Sequence, residues 1–153
     1  MVDDDFIQYH IFPDAFCGLG WHEWAVCLAN GYLLRGYFEL AGMRINNRHS
    51  FDEPTNSHTE MVSFSPVIRF HPKFGLQWYV DLSVGLAYFT KDQIATRNLG
   101  SHVVFEDRFG FGALFGKKQE FEIGYRAIHY SNAYLAKVNQ GLNIQMLLIG
   151  YWF

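Results

Sequence analysis

The chain has 153 residues, enough for one domain with a sizeable core, and its net charge of −3 gives no footing for a nucleic-acid partner. Aromatic residues reach 18% and glycines number 14, with only 18% charged residues, a balance that favours an all-β protein. A mean hydropathy of −0.04 and short apolar runs exclude a membrane-spanning helix but not a membrane barrel, whose strands alternate and average out in any hydropathy window.

The acidic start MVDDDF lacks the apolar stretch of a secretory signal, so export requires a signal peptide that this chain does not carry. Up to Asn30 the pattern is poor, and Phe6–Phe12 and Gly18–Val26 read as two strands. Cys17 and Cys27 would lie about 33 Å apart on one extended strand. They can bridge only if the chain turns between them, and two unpaired apolar thiols are the plainer reading. Asn30-Gly31 is a two-residue hairpin signal. Tyr32–Arg44 then alternates, with Arg35 and Glu39 on its polar side.

After a long loop, Ile45–His58, the segment Val62–Phe70 puts Val62, Phe64, Pro66, Ile68 and Phe70 on one face. Pro66 removes a ladder donor there. A short turn, His71–Gly75, leads to Leu76–Tyr88, which keeps a period of two over its whole length. The loop Thr90–His102 follows. Val103–Phe115 and Phe121–Ser131 alternate in the same way about the short turn Gly116–Gln119. Another long loop, Asn132–Gly141, leads to a last strand from about Asn143 to Phe153, with Leu147, Ile149, Tyr151 and Phe153 in its outer row. No repeat or linker divides the chain, so residues 1–153 form a single domain of eight strands. An even count returns both termini to one side.

The polar faces carry Arg35, Arg69, Arg108 and Arg126 against Glu39, Asp81, Glu106 and Glu122, while every lysine lies in a turn or loop. A soluble barrel shows Lys and Glu to water and keeps apolar residues within. Matched arginines and acids suit a narrow lumen, where buried charge must be paired. The aromatic-rich face is then outside, against lipid. The expected fold is an all-β, eight-stranded, antiparallel, up-and-down transmembrane barrel. The ending Tyr151-Trp152-Phe153 resembles the C-terminal signal of bacterial outer-membrane barrels, which implies an integral place in that membrane.

Within YRAIHYSNA, residues Tyr125 to Ala133, strand parity puts His129 and Ser131 on the outer face. They lie about 33 Å beyond Gln119, at the far membrane interface. The turn at Lys117-Lys118 brings Phe105 or Asp107 opposite His129, and Asn143 and Gln145 point outward on the other side. An outward acid in an apolar row is costly. Asp107 is either an interfacial carboxylate in headgroup water or a partner for the histidine. A His-x-Ser pair on a strand is by itself a weak catalytic signal.

Phe105–Gly112 (FEDRFGFG) and Arg126–Ala133 (RAIHYSNA) closely resemble the outer-membrane lipid A 3-O-deacylases (PagL-like), with HTEMVSFSPVIRF and Asp81–Phe89 fitting more loosely. The likeness runs from about Tyr32 onward. It implies an eight-stranded outer-membrane barrel that hydrolyses the ester-linked 3-hydroxyacyl chain at position 3 of lipid A, with no metal or cofactor. Ser131 would be the nucleophile and His129 the general base. Asn132, with loop amides near Ala133–Tyr134, would form the oxyanion hole, and Phe105 would contact substrate. The partner is lipid A of lipopolysaccharide, and a homodimer is left open. One departure stands out. The family's third catalytic member is a Glu in a Gly-x-Glu context, whereas Gly141-Leu142-Asn143 puts Asn143 there. Asn143 can orient a histidine but cannot balance an imidazolium as a carboxylate does, and Asp107 is the alternative acid. The competing reading is a non-catalytic barrel, structural or lipopolysaccharide-binding.

Overall fold

The structure, a computed structural model, describes residues 15–28, 31–46, 58–94 and 97–151. Nine strands follow in chain order: β1 (Ala15–Cys27), β2 (Tyr32–Asn46), β3 (His58–Pro72), β4 (Gln77–Phe89), β5 (Gln93–Ile94), β6 (Arg97–Asn98), β7 (Val103–Phe115), β8 (Phe121–Ser131) and β9 (Leu142–Tyr151). Seven form one antiparallel sheet in the order β1-β2-β3-β4-β7-β8-β9, and β5 with β6 makes a small ribbon in the loop between β4 and β7. The expected strand Phe6–Phe12 lies outside the described residues.

β7 and β8 begin and end where alternation of the sequence begins and ends. β3 starts earlier than expected, at His58, because Thr59 and Met61 continue the inward row. β1 runs through Cys17 and Cys27 without turning back, so the two cannot bridge, and Cys27 is a free, exposed thiol. Pro66 pairs with Phe38 on β2, whereas the pairing with β4 is interrupted between Phe64↔Leu86 and Val67↔Ser83. Its missing donor faces that gap, where the Ser83 hydroxyl donates to the Pro66 carbonyl at 2.8 Å.

The sheet is curled. Arg126 on β8 donates twice to Glu39 on β2 at 3.0 Å, although four strand spacings separate them in the sheet. In a flat sheet that separation would be about 19 Å. The polar faces therefore meet inside a barrel, as their matched charges required.

The lumen has two storeys. The first is ionic. Arg69 binds Asp81 through two hydrogen bonds of 2.8 Å and reaches Glu122 at 2.9 Å. Glu39 accepts from both Arg126 and Arg108, and Glu106 accepts from the Ser65 hydroxyl at 2.7 Å. The Arg69 guanidinium also lies 3.8 Å from the Tyr79 ring centre. The Tyr79 hydroxyl in turn occupies the space where a Cβ on Gly112 would sit, only 2.5 Å away, which is why that position is glycine.

The second storey, towards the long loops, is apolar: Met43, Ile45, Met61, Phe89, Ile128, Tyr130, Ile144 and Met146 pack together, with Ile94 and Leu99 dropping in from the β4–β7 loop. The sequence reading expected a polar lumen throughout, so this storey corrects it. Here the apolar row of β2, β8 and β9 turns inward, and the outward neighbours are Arg44, His129, Asn143 and Gln145.

Outside, the wall is apolar and exposed, with Leu82 at 57% and Val84 at 62%. Strands of 10 to 15 residues exceed what a hydrocarbon band about 25 Å tall requires. Aromatic side chains ladder across the wall at the short-turn end. Tyr32 stacks on Phe70 at 4.9 Å with Trp78 alongside, and Phe121 lies between Phe115 at 5.6 Å and Tyr151 at 5.5 Å. That is the aromatic girdle of a membrane interface. Among the described residues, no helix is long and apolar enough to cross a membrane.

Candidate active site

His129 and Ser131 lie at the loop end of β8, and their inward neighbours Ile128 and Tyr130 are locked into the apolar storey. Pleating turns His129 and Ser131 to the outer wall, as parity predicted. The register settles the neighbours. His129 stands opposite Asp107 on β7 and opposite Asn143 on β9, while Ser131 stands opposite Phe105. Gln145 also points outward but pairs with Ala127, four residues short of Ser131.

Of the two candidates for orienting the histidine, Asn143 makes the bond. Its Oδ1 lies 2.6 Å from His129 Nδ1. An amide oxygen there can only accept a hydrogen bond, so in this pairing Nδ1 carries the hydrogen and Nε2 is left as the basic nitrogen. Gly141 packs against the ring. A Cβ at this position would come within 3.1 Å of His129 Cε1, and its φ of +62° suits glycine.

The chain after Ser131 turns sharply. Ala133 and Tyr134 have φ of 49° and 61°, the left-handed region that non-glycine residues rarely enter. Neither amide hydrogen has an acceptor among the described residues. Asn132 is buried at the root of this turn. Both hydrogens of its side-chain amide are engaged, by Leu99 O at 2.7 Å and Val138 O at 2.6 Å, and its backbone N–H donates to Asn139 Oδ1 at 3.0 Å. Asn132 thus faces the loops, not the outer wall.

A groove of about 320 Å³ is lined by Leu86, Val103, Phe105, Leu135 and Ala136 on its apolar sides and by Asn132, the residue after Ser131. Phe105, which lines it, stands opposite Ser131 in the register. Sequence reasoning did not find Leu135 and Ala136, which sit in a loop without periodicity, or the role of Gly141. The positive φ at Gly141 has a sequence signal in the residue type alone.

Fold and site together define a membrane-type β-barrel that displays a histidine, a serine and an orienting amide on its lipid-facing rim. The family model of lipid A 3-O-deacylase (PagL) matches residues 17–152, and the chain belongs to that family. Among similar proteins, the lipid A deacylase PagL of Pseudomonas aeruginosa is 37% identical over 92 residues, which is 60% of this chain and 51% of that protein. The lipid A deacylase PagL of Bordetella bronchiseptica is 31% identical over 96 residues, 63% of this chain and 52% of the relative. The matched region therefore spans about half the length of these relatives. The crystal structure of the outer membrane enzyme PagL superimposes with a TM-score of 0.73 at 28% identity, covering 88% of this chain and 85% of that one. With its apolar wall, girdle and family, the protein is an integral protein of the bacterial outer membrane.

Proposed function

We propose that this protein is a serine esterase that removes the 3-O-linked 3-hydroxyacyl chain from lipid A in the outer leaflet. The observation that carries the reading is the 2.6 Å contact between His129 Nδ1 and Asn143 Oδ1, because it leaves Nε2 as the base on the wall that also carries Ser131. Serine is a weak nucleophile until such a base takes its proton.

The reaction runs in two balanced halves. Ser131 Oγ attacks the ester carbonyl while His129 Nε2 accepts its proton. The tetrahedral oxyanion is held by the amides of Ala133 and Tyr134, whose strained turn points them away from the usual ladder. Collapse expels the sugar oxygen, which takes the proton back from His129 and leaves an acyl-serine. Water, deprotonated by His129, then attacks the acyl carbon, and collapse expels Ser131 Oγ, which takes the proton back from His129 as the fatty acid leaves. The groove beside Phe105 is apolar and of a size to take part of an acyl chain, and its position on the outer wall lets a membrane lipid enter sideways.

Purified protein in detergent is expected to release 3-hydroxy fatty acid from lipopolysaccharide. Ser131→Ala and His129→Ala should each cut the rate by more than about 1000-fold, and wild-type rates in both variants would falsify the assignment. Asn143→Glu tests the third member: a carboxylate there should raise the rate roughly tenfold by stabilising the imidazolium. Asp107→Asn should change it less than about threefold, since the ring nitrogen already bonds to Asn143. Loss of activity in Asp107→Asn with no gain in Asn143→Glu would move the acid to Asp107.

A non-catalytic barrel is the second reading, favoured by one observation: an uncharged asparagine bonds the histidine where the family pattern has an acid. A mass spectrum of lipid A from cells with and without the protein separates the two. Unaltered lipid A in a membrane that holds folded protein supports the second.

A further inference from the structure

Asn132 follows the nucleophile directly, yet its donors turn away from the outer wall. One hydrogen of its amide goes to Leu99 O, in the β4–β7 loop, and the other to Val138 O, in the β8–β9 loop. Its backbone carbonyl accepts from Leu135 N at 2.9 Å and closes the turn that carries Ala133 and Tyr134. The side chain is 2% exposed, and its Oδ1 has no partner. A buried oxygen left unpaired costs about 1–3 kcal/mol. The protein tolerates that cost at the one residue that ties both loops to the turn.

The two loops are fastened to each other a second time, further from the serine. Asn98 N donates to Gln140 Oε1 at 2.6 Å, Gln140 N donates back to Asn98 O at 3.2 Å, and Arg97 reaches Gln140 O at 3.3 Å. At Gly100, against the first fastening, a Cβ would collide with Val138 O and lie 3.0 Å from Asn132 Nδ2. The ribbon side is itself anchored: Leu99 N donates to Asp92 O at 2.8 Å, and the Leu99 side chain is sealed in the apolar storey. A rigid path thus leads from the barrel lumen, through Leu99 and Asn132, to the two strained amides.

We propose that Asn132 is a positioning residue and that the β5–β6 ribbon is the brace that sets the Ala133–Tyr134 turn, so that a loop remote in sequence controls the oxyanion site. This rests on the esterase reading for its kinetic consequence but not for its structural one. The distinction from a direct oxyanion donor is sharp, since both hydrogens of the Asn132 amide are already committed to carbonyls.

The test uses the full chain in detergent micelles, checked for folding by heat-dependent gel mobility, with Asn132→Ala, Gln140→Ala and Gln140→Glu. Hydrogen exchange at residues 132–136 should quicken about tenfold or more in the first two variants and stay at the wild-type rate in Gln140→Glu, which keeps the oxygen that Asn98 N needs. On lipopolysaccharide, kcat should drop about 100-fold in Asn132→Ala and about tenfold in Gln140→Ala, with KM within about twofold. Unchanged exchange in Asn132→Ala overturns the brace whatever the activity. A raised KM with unchanged kcat overturns the positioning role and assigns Asn132 to substrate binding. If Ser131→Ala keeps the wild-type rate, the esterase reading fails alone, and the exchange experiment still decides the brace. If Ser131→Ala is inactive but Asn132→Ala keeps its kcat, the positioning role fails alone.

Discussion

The two storeys of the lumen hold the barrel by opposite means. In the ionic storey, three buried arginines and four buried acids are joined across the barrel, with Glu39 between Arg108 and Arg126 and Arg69 between Asp81 and Glu122. Such contacts are directional, and a slip of one residue would leave charges unpaired in a dry interior. The apolar storey tolerates small shifts but requires volume to be filled. Its contents back directly onto the candidate site, since Ile128 and Tyr130 alternate with His129 and Ser131 along β8. The ionic storey therefore fixes the register, and the apolar storey holds the working residues still.

That division can be broken from either side. The largest effect is expected from Glu39→Ala, which strands Arg108 and Arg126. Stability should drop by about 5 kcal/mol, read from urea unfolding in detergent, while the folded fraction keeps its specific activity. Tyr130→Ala should cost about 4 kcal/mol and also lower kcat in the protein that remains folded, because the cavity opens beneath the His129–Ser131 pair. An activity loss in Glu39→Ala as deep as in Tyr130→Ala would erase the distinction. Gly141→Ala should cost about 1–2 kcal/mol through its positive φ and crowd the His129 ring, so hydrolysis suffers more than stability. Smallest of all, Met146→Leu conserves volume in the apolar storey and should stay within about 1 kcal/mol with activity intact.

The same contrast explains what could be read without coordinates. Period-two alternation is legible where one face is polar, so β7 and β8 were bounded to the residue, and all seven buried charges were placed inside. His129, Ser131, Asn143 and Asp107 followed from parity and the family motif, and the register then put Asp107 opposite His129 where two partners had been open. At the loop end, Met43, Ile45, Ile128 and Ile144 face inward while their neighbours Arg44, His129 and Asn143 point outward, the reverse of the polarity at the other end of the barrel. Alternation persists there with its sign reversed, so a single rule of polar residues inside does not find the apolar storey. The β5–β6 ribbon pairs only Gln93 with Asn98 and Ile94 with Arg97, too short for any periodicity. The hydrogen bond from Asn132 to Leu99 O joins residues 33 apart, a relation that no local pattern encodes.

The filled lumen has one further consequence. Ion-paired side chains and then Tyr130, Phe89, Ile144 and Leu99 occupy the described interior in succession, each sealed from solvent in the apolar storey. Among the described residues the lumen is filled with side chains along its length. The outer surface, which in a porin only meets lipid, is here the face on which His129 and Ser131 are displayed.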